Sequence, residues 1–320
     1  MSFFEAFKFY KRKSPIPDLS SVVDTRDPEF NELLQSFNKQ ERKLPACFGL
    51  RSPETWKISE FKNHPGLIII ENPFTSQGER YWVTRCLRDF PKHPNRTNLN
   101  THKLPEDARK DFWSFLGNVQ CGKEHKKLRS CLRWSTLGYH HDWDTKVYSE
   151  TEKHPFPEDL SALTIFLGEI LSFRDFKAEA AIVNFYPQGS TLAGHTDHSE
   201  IDLKAPLFSI SFGQGAIFLI GGYSKEDPAT PIRLHSGDIL IMSGASRLCY
   251  HAVPLILHGC LDTWNDDSSF SEDPKSAEMD KDVWNKCIDE SFWTPFNQYI
   301  SDCRINLNIR QVLSEGLTNL

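Results

Sequence analysis

None of the eight cysteines stands in a C-x-x-C pair. That absence excludes a zinc ribbon and a secreted disulfide framework; reduced thiols in an intracellular protein are the simplest account. No apolar run is long enough to span a bilayer and no signal peptide opens the chain, so no membrane partner is expected. Positive charge is not in excess either. The balance is −6 at pH 7, which taken alone argues against a nucleic-acid partner. Disorder is excluded by 39% hydrophobic and 12% aromatic residues, and 320 residues are enough for one large domain or two small ones.

The negative total hides a polarised distribution. Lys8, Lys11, Arg12 and Lys13 cluster at the start, and a further series of cations runs from Arg85 to Arg133. Residues 262–289 are strongly acidic. A basic run serves either as a solvated face or as a phosphate-binding surface, and charge alone does not choose between them.

Phe3 and Phe7 stand four apart ahead of Pro15, which predicts a short helix over residues 3–13. Its apolar face is expected to clip onto a core. A polar stretch follows to about Ser59, then an apolar strand over 67–70. Residues 82–87, 108–116 and 162–172 read as helices of a lid. Three parts are expected: an N-terminal helix and extension (1–59), a lid with supporting helices (60–177) and a β core (178–315). The core carries an acidic insert (258–299) with a helix over about 276–292, expected either to lie on the far side from any phosphate or to steer orientation.

The core reads as short strands punctuated by glycine. Phe208, Ile210 and Phe212 share one face of an extended segment, and Ser209 and Ser211 share the other. Residues 216–220, 232–234 and 239–242 are further strands, separated by Gly221-Gly222 and Ser236-Gly237. Such a succession argues for an antiparallel barrel or jelly roll, an α+β chain with a mainly β core.

Three residues around that core carry metal chemistry. His195-Thr-Asp197 and the later His251 would fill three sites of an octahedral ion and leave three open, as non-haem Fe(II) oxygenases require. A His-x-Asp pair alone is weak evidence. The chain contains a decoy in His140-His-Asp142, followed by a charged loop rather than by paired strands.

The last strand alternates completely. Ile305, Leu307 and Ile309 lie on one face; Arg304, Asn306, Asn308 and Arg310 lie on the other. The polar face either meets water or lines a barrel interior, and the metal motif favours the interior. Six residues of strand span roughly 20 Å, so two arginines leaning together could frame a five-carbon dicarboxylate. The guanidinium fork of Arg304 would anchor the far carboxylate of 2-oxoglutarate. Arg310, nearer the metal, would brace Asp197 or the near carboxylate.

Taken together, His195-Thr-Asp197, His251 within Ser246-Arg-Leu-Cys-Tyr-His251, and the Arg304 to Arg310 strand resemble the signature of the AlkB family of Fe(II)- and 2-oxoglutarate-dependent nucleic-acid demethylases. Leu132-Arg-Trp, Gly138-Tyr-His, Ser209-Ile-Ser-Phe-Gly-Gln214 and His235-Ser-Gly-Asp-Ile239 are similar to its eukaryotic branch, AlkB homologue one. The resemblance covers about residues 60–315. It implies a double-stranded β-helix with an N-terminal lid, Fe(II) and 2-oxoglutarate as cofactors, and O2 as co-substrate. Asn184 and Tyr186 match the pair that hydrogen-bonds the co-substrate, and Asn306 and Arg310 belong to the same site.

The implied reaction decarboxylates 2-oxoglutarate to succinate, hydroxylates an N-methyl carbon and releases it as formaldehyde. Ser199 and then Glu200 stand where the bacterial family member has its acidic residue two positions beyond the metal Asp. Base preference is therefore open. Tyr139, His140 and Trp143 are candidates to stack on or bond a flipped base, and Lys8, Lys11, Arg12 and Lys13 to grip phosphates. DNA or tRNA is the expected partner, for a monomer in the nucleus, mitochondrion or cytosol. A protein hydroxylase or histone demethylase on the same iron core is the alternative, and a module with a vestigial metal site a third. Lyase cleavage, also ascribed to the branch, would need a reactive amine that no residue supplies by motif.

Overall fold

The computed structural model describes residues 1–39, 44–259, 262–266 and 270–320. In chain order the N-terminal half contributes α1 (Phe3–Lys11), β1 (Leu34–Ser36), β2 (Ile58–Phe61), β3 (Leu67–Ile70), α2 (Ser76–Thr84), β4 (Arg96–Thr97), α3 (Glu106–Lys110), α4 (Phe112–Gly117), α5 (Lys123–Arg129), β5 (Trp134–Gly138) and α6 (Glu158–Leu171). There follow β6 (Ala180–Pro187), β7 (Leu192–His195), β8 (Leu207–Gly213), β9 (Ala216–Ile220), β10 (Thr230–Leu234), β11 (Ile239–Met242) and β12 (His251–Ile256). The insert supplies α7 (Lys281–Lys286) and α8 (Glu290–Ile300), and β13 (Cys303–Arg310) closes the core.

Two antiparallel sheets result. The larger runs β1-β2-β3-β11-β8-β13-β6-β5-β4 and the smaller β10-β9-β12-β7. Period-two alternation sorts side chains between layers. In β3 all four residues are buried: Ile68 and Ile70 enter the core shared with the helices, while Leu67 and Ile69 enter the core between the sheets. β11 divides in the same way, Ile239 and Ile241 outward and Leu240 and Met242 inward. In β9, Ala216, Phe218 and Ile220 face the interior, and Ile217 and Leu219 face the core beneath α1. Two sheets enclosing one interior make the double-stranded β-helix, a mainly β core with helices outside.

The helices differ from their expected limits for local reasons. α1 ends at Lys11; a capping box between Ser2 and Glu5 starts it, and Phe3, Ala6 and Tyr10 are buried against the smaller sheet. The helix expected over 82–87 begins at Ser76 and passes into a π-helical turn, Arg85–Asp89. That over 108–116 is two short helices, because Asp111 leaves helical geometry and accepts from the Ser114 amide at 3.1 Å. That over 276–292 is also two, with Asp289 capping α8 through the Ser291 and Phe292 amides.

These helices do not form a lid over the metal. Trp82, Leu87, Phe112, Leu163 and Leu167 join Trp284, Trp293 and Phe296 of the insert in one core on the outer face of the large sheet. The large sheet also crosses the boundaries expected near 60 and 178, since β2, β3 and β5 are strands of it. Burial drives both outcomes: the odd or even face of each strand opposite the barrel needs an apolar cover.

Candidate metal centre

β12 pairs with β7 so that His251 and His195 are direct partners across the sheet. Their rings lie 4.3 Å apart. Asp197 follows two residues after His195 and completes the one group of possible metal ligands found among the described residues, with donor atoms within 4.8 Å of one another. Each imidazole is oriented by a backbone carbonyl: His195 Nδ1 bonds Ala193 O at 2.9 Å and His251 Nδ1 bonds Cys249 O at 3.1 Å. A carbonyl only accepts, so Nδ1 carries the hydrogen in both rings and each Nε2 presents its lone pair. His195 Nε2 lies 3.9 Å and His251 Nε2 3.6 Å from the nearer Asp197 oxygen. Donors each about 2.1 Å from one cation stand roughly 3–4 Å apart, so the arrangement fits a first-row ion.

The carboxylate offers the sharpest test of that fit. Asp197 Oδ2 is buried and has no hydrogen-bond partner, while Arg310 Nη2 donates to Oδ1 at 2.8 Å. An orphaned buried carboxylate oxygen is costly unless a cation completes it. Burial by itself would raise the Asp197 carboxyl; Arg310 and the two imidazoles outweigh it and hold it well below the usual range. Burial and the neighbouring His251 push the His195 imidazole down to about 4. A neutral imidazole at His195 and an ionised carboxylate at Asp197 are the protonation states that bind metal.

The polar face of β13 lines the barrel. Arg304, Asn306 and Arg310 are all buried. Arg304 Nη2 donates to Ser211 Oγ at 2.9 Å, and Asn306 Nδ2 to Ser209 Oγ at 2.8 Å. The sheet register sets Tyr186 beside Arg304 and Asn184 beside Asn306. Burial raises the Tyr186 phenol to about 12, against the pull of Arg304, so it stays a neutral donor.

The lid candidates separate. Tyr139 and His140 are each only 1% exposed. Tyr139 OH donates to the Glu150 carboxylate and accepts from Lys153 Nζ, and His140 spans Thr136 Oγ1 at 2.7 Å and His154 Nδ1 at 2.6 Å. Neither has a ring face or edge for a base, which corrects the expected substrate role. Trp143 is 47% exposed. The decoy is no metal site: Asp142 Oδ1 accepts from the Asp144 and Thr145 amides, away from His140's partners.

Glu200 is likewise consumed, by Arg247 Nη2 at 3.0 Å, Tyr148 OH at 3.1 Å and Arg310 Nη1 at 3.4 Å. Its expected contact with substrate is replaced by a bracing role. Ser199 Oγ is hydrogen-bonded to His141 Nε2 at 3.0 Å. Lys8, Lys11 and Arg12 lie against the rings of Phe4, Phe7 and Phe9 on their own helix, and Lys13 is exposed beyond its end.

Three residues at the site were not singled out by sequence. Arg247 Nη1 donates to the Asp197 carbonyl at 2.7 Å, Tyr148 OH accepts from Arg310 Nη1 at 3.3 Å, and His141 stands among the rings of the loop that follows β5. Arg247 belongs to the Ser246–His251 stretch that carries the third metal ligand. His141 was masked by Gly138, whose φ of 68° breaks the alternation that would otherwise assign faces past β5, and Tyr148 lies in an irregular segment with no strand period to assign its face.

Residues 66–310 match the 2OG-Fe(II) oxygenase superfamily. Nearly the whole chain also aligns with relatives of one kind. The nucleic acid dioxygenase ALKBH1 of Homo sapiens is 35% identical over 98% of this chain and 84% of its own length. The chain belongs to the 2OG-Fe(II) oxygenase superfamily, in its ALKBH1 family. The tRNA demethylase abh1 of Schizosaccharomyces pombe is 34% identical over 95% of this chain and 93% of its own. The DNA N(6)-methyladenine demethylase ALKBH1A of Arabidopsis thaliana is 32% identical over 94% and 90%. Membership makes this oxygenase an Fe(II)- and 2-oxoglutarate-dependent enzyme, and His195, Asp197 and His251 are its candidate iron ligands.

Proposed function

We propose that this oxygenase removes N-methyl groups from bases of DNA or tRNA, methyladenine above all, and that it acts on unpaired or locally melted sites. The observation that carries the reading is the pairing of an orphaned Asp197 oxygen between two oriented imidazoles with a buried arginine further along the same interior. When bound, iron and 2-oxoglutarate supply the oxidation of a methyl carbon, which leaves as formaldehyde. The residues do the rest. Arg304, with Ser211 beside it, holds the distal carboxylate of 2-oxoglutarate; Tyr186, Asn184 and Asn306 flank the bound acid. Arg310 and Arg247 fix Asp197 from its side-chain and main-chain oxygens.

The names of the relatives, a nucleic acid dioxygenase, a tRNA demethylase and a DNA demethylase, support a nucleic-acid substrate over a histone. Asp197 and His251 are buried and His195 is only about a third exposed, so a base stacked in a helix cannot reach them. The base must leave its helix, at a cost of a few kcal/mol from a paired duplex and much less from a bulge or loop. Methyladenine in a bulge or stem-loop is expected to lose its methyl at least about tenfold faster than in a perfect duplex. Nucleoside mass spectrometry on matched oligonucleotides, with methylated histone peptides in parallel, makes the measurement. Equal rates on bulged and matched strands would sink the preference; turnover of peptides alone would sink the substrate class.

A further inference from the structure

We propose that His141 is the specificity-determining residue that reads the polar edge of the flipped base, through its Nδ1 atom. The inference rests on the nucleic-acid reading above. His141 Nε2 is occupied by Ser199 Oγ at 3.0 Å, whereas Nδ1 is buried and has no hydrogen-bond partner. Buried ring nitrogens are ordinarily paired, so a ligand is the natural completion.

The surroundings say which ligand. The ring is held edge-on to Trp143 at 4.7 Å and to Tyr148 at 5.4 Å. Tyr148 OH in turn touches Glu200 and Arg310, and Arg310 holds Asp197. His141 therefore stands one ring and one guanidinium away from the metal carboxylate, with the exposed indole of Trp143 offering an aromatic face beside it. A flat group with a hydrogen-bonding edge fits both features, and a nucleobase has that shape.

Elimination among the neighbouring residues points the same way. Tyr139 and His140 are fully engaged elsewhere, Asp142 caps its own turn, and Tyr148 has two partners for its hydroxyl. Burial lowers the His141 pKa, so the neutral ring offers Nδ1 as either a donor or an acceptor. The Ser199 hydroxyl, able to donate or accept, sets which.

The test compares two stem-loops that differ only in the methylated base, one methyladenine and one methylcytosine. In the parent enzyme their kcat/KM values are expected to differ at least about tenfold, the scale set by one buried hydrogen bond to substrate. His141→Phe keeps the ring contacts and is expected to bring the ratio to within about twofold of unity. His141→Asn places an amide near the position of Nδ1 and is expected to recover part of the discrimination, which a packing role would not produce. A parent ratio near unity, or a ratio that both variants leave in place while folding normally, overturns the assignment alone. Failure of the parent to demethylate either oligonucleotide overturns the nucleic-acid reading and this inference together.

Discussion

Asp197 is held from two sides and left open at a third point: one carboxylate oxygen on Arg310, the main-chain carbonyl on Arg247, and the second carboxylate oxygen buried without a partner. Asp197→Ala, His195→Ala or His251→Ala removes one of three protein bonds to iron. Each is expected to abolish Fe(II) binding in anaerobic titration, with 2-oxoglutarate turnover abolished in parallel, while Asp142→Ala binds iron normally. Loss of iron from Asp142→Ala would overturn the assignment of the decoy.

Arg304 is buried at 1% exposure, and removing one member of a buried charge pair costs about 3–5 kcal/mol. Arg304→Ala should therefore raise the 2-oxoglutarate KM by a factor of hundreds or more. Lysine should rescue it poorly, because it lacks the planar fork. An unchanged KM would mean that the co-substrate is held elsewhere. The residue types of this site are legible in the sequence because metal and dicarboxylate chemistry tolerate few side chains. Arg247, Tyr148 and His141 were not, because their positions at the site depend on segments that only the fold brings together.

Among the elements, β13 was the most legible, since its eight residues alternate without a break and it exceeds the Arg304–Arg310 pattern only by Cys303. The segment after β5 was the least. Gly138 turns the chain with positive φ and a Cβ there would strike the Glu179 carbonyl, so His140 enters the interior between Thr136 and His154 and His141 takes the site face. This placement has a pH signature. Burial first, then His154, lowers the His140 pKa to about 4, against about 6.5 in an unfolded chain.

Between those values the unfolded chain binds more protons than the folded one. Stability therefore rises with pH through this window and is lost as pH falls from about 6.5 towards 4, by at most about 1.4 kcal/mol per pH unit. His140→Gln, which keeps hydrogen-bonding capacity without titrating there, should flatten the loss. Urea midpoints at pH 7 and pH 5 make the comparison, and an equal drop in parent and variant would refute it.

Over the whole molecule, half of the cations that load the middle of the chain are ion-paired, Arg88 with Asp89 among them. Arg85 pairs with Asp159 and Asp89, Lys92 with Asp111, Arg96 with Glu152, Lys110 with Glu106 and Arg129 with Asp302. Lys123, Lys126 and Lys127 on α5 make no ion pair among the described residues. They lie beyond the Asp302 end of β13, and eight strand residues, about 25 Å, separate that end from Arg310 at the metal.

The N-terminal helix is closer, since the Phe3 ring packs at Gly194, next to His195. Neutralising Lys8, Lys11, Arg12 and Lys13 should weaken stem-loop binding and reduce the salt slope by roughly 0.7–0.9 for every phosphate the variant no longer neutralises, with the α5 lysines contributing less. Binding titrations at several salt concentrations test this. A larger effect from neutralising α5 would reverse the order.

What the sequence determined by itself was chemistry and periodicity: the triad, the arginine strand, the mainly β core and the family, all of which reside in residue types at short spacings. Only the tertiary structure decided which helices back the large sheet, which cations remain available, and which of two adjacent histidines meets the site. Those are questions of which apolar face is covered and by what. Strands far apart in sequence, such as β3 against β11 or β13 between β6 and β8, settle them by burial, and no local pattern encodes that pairing.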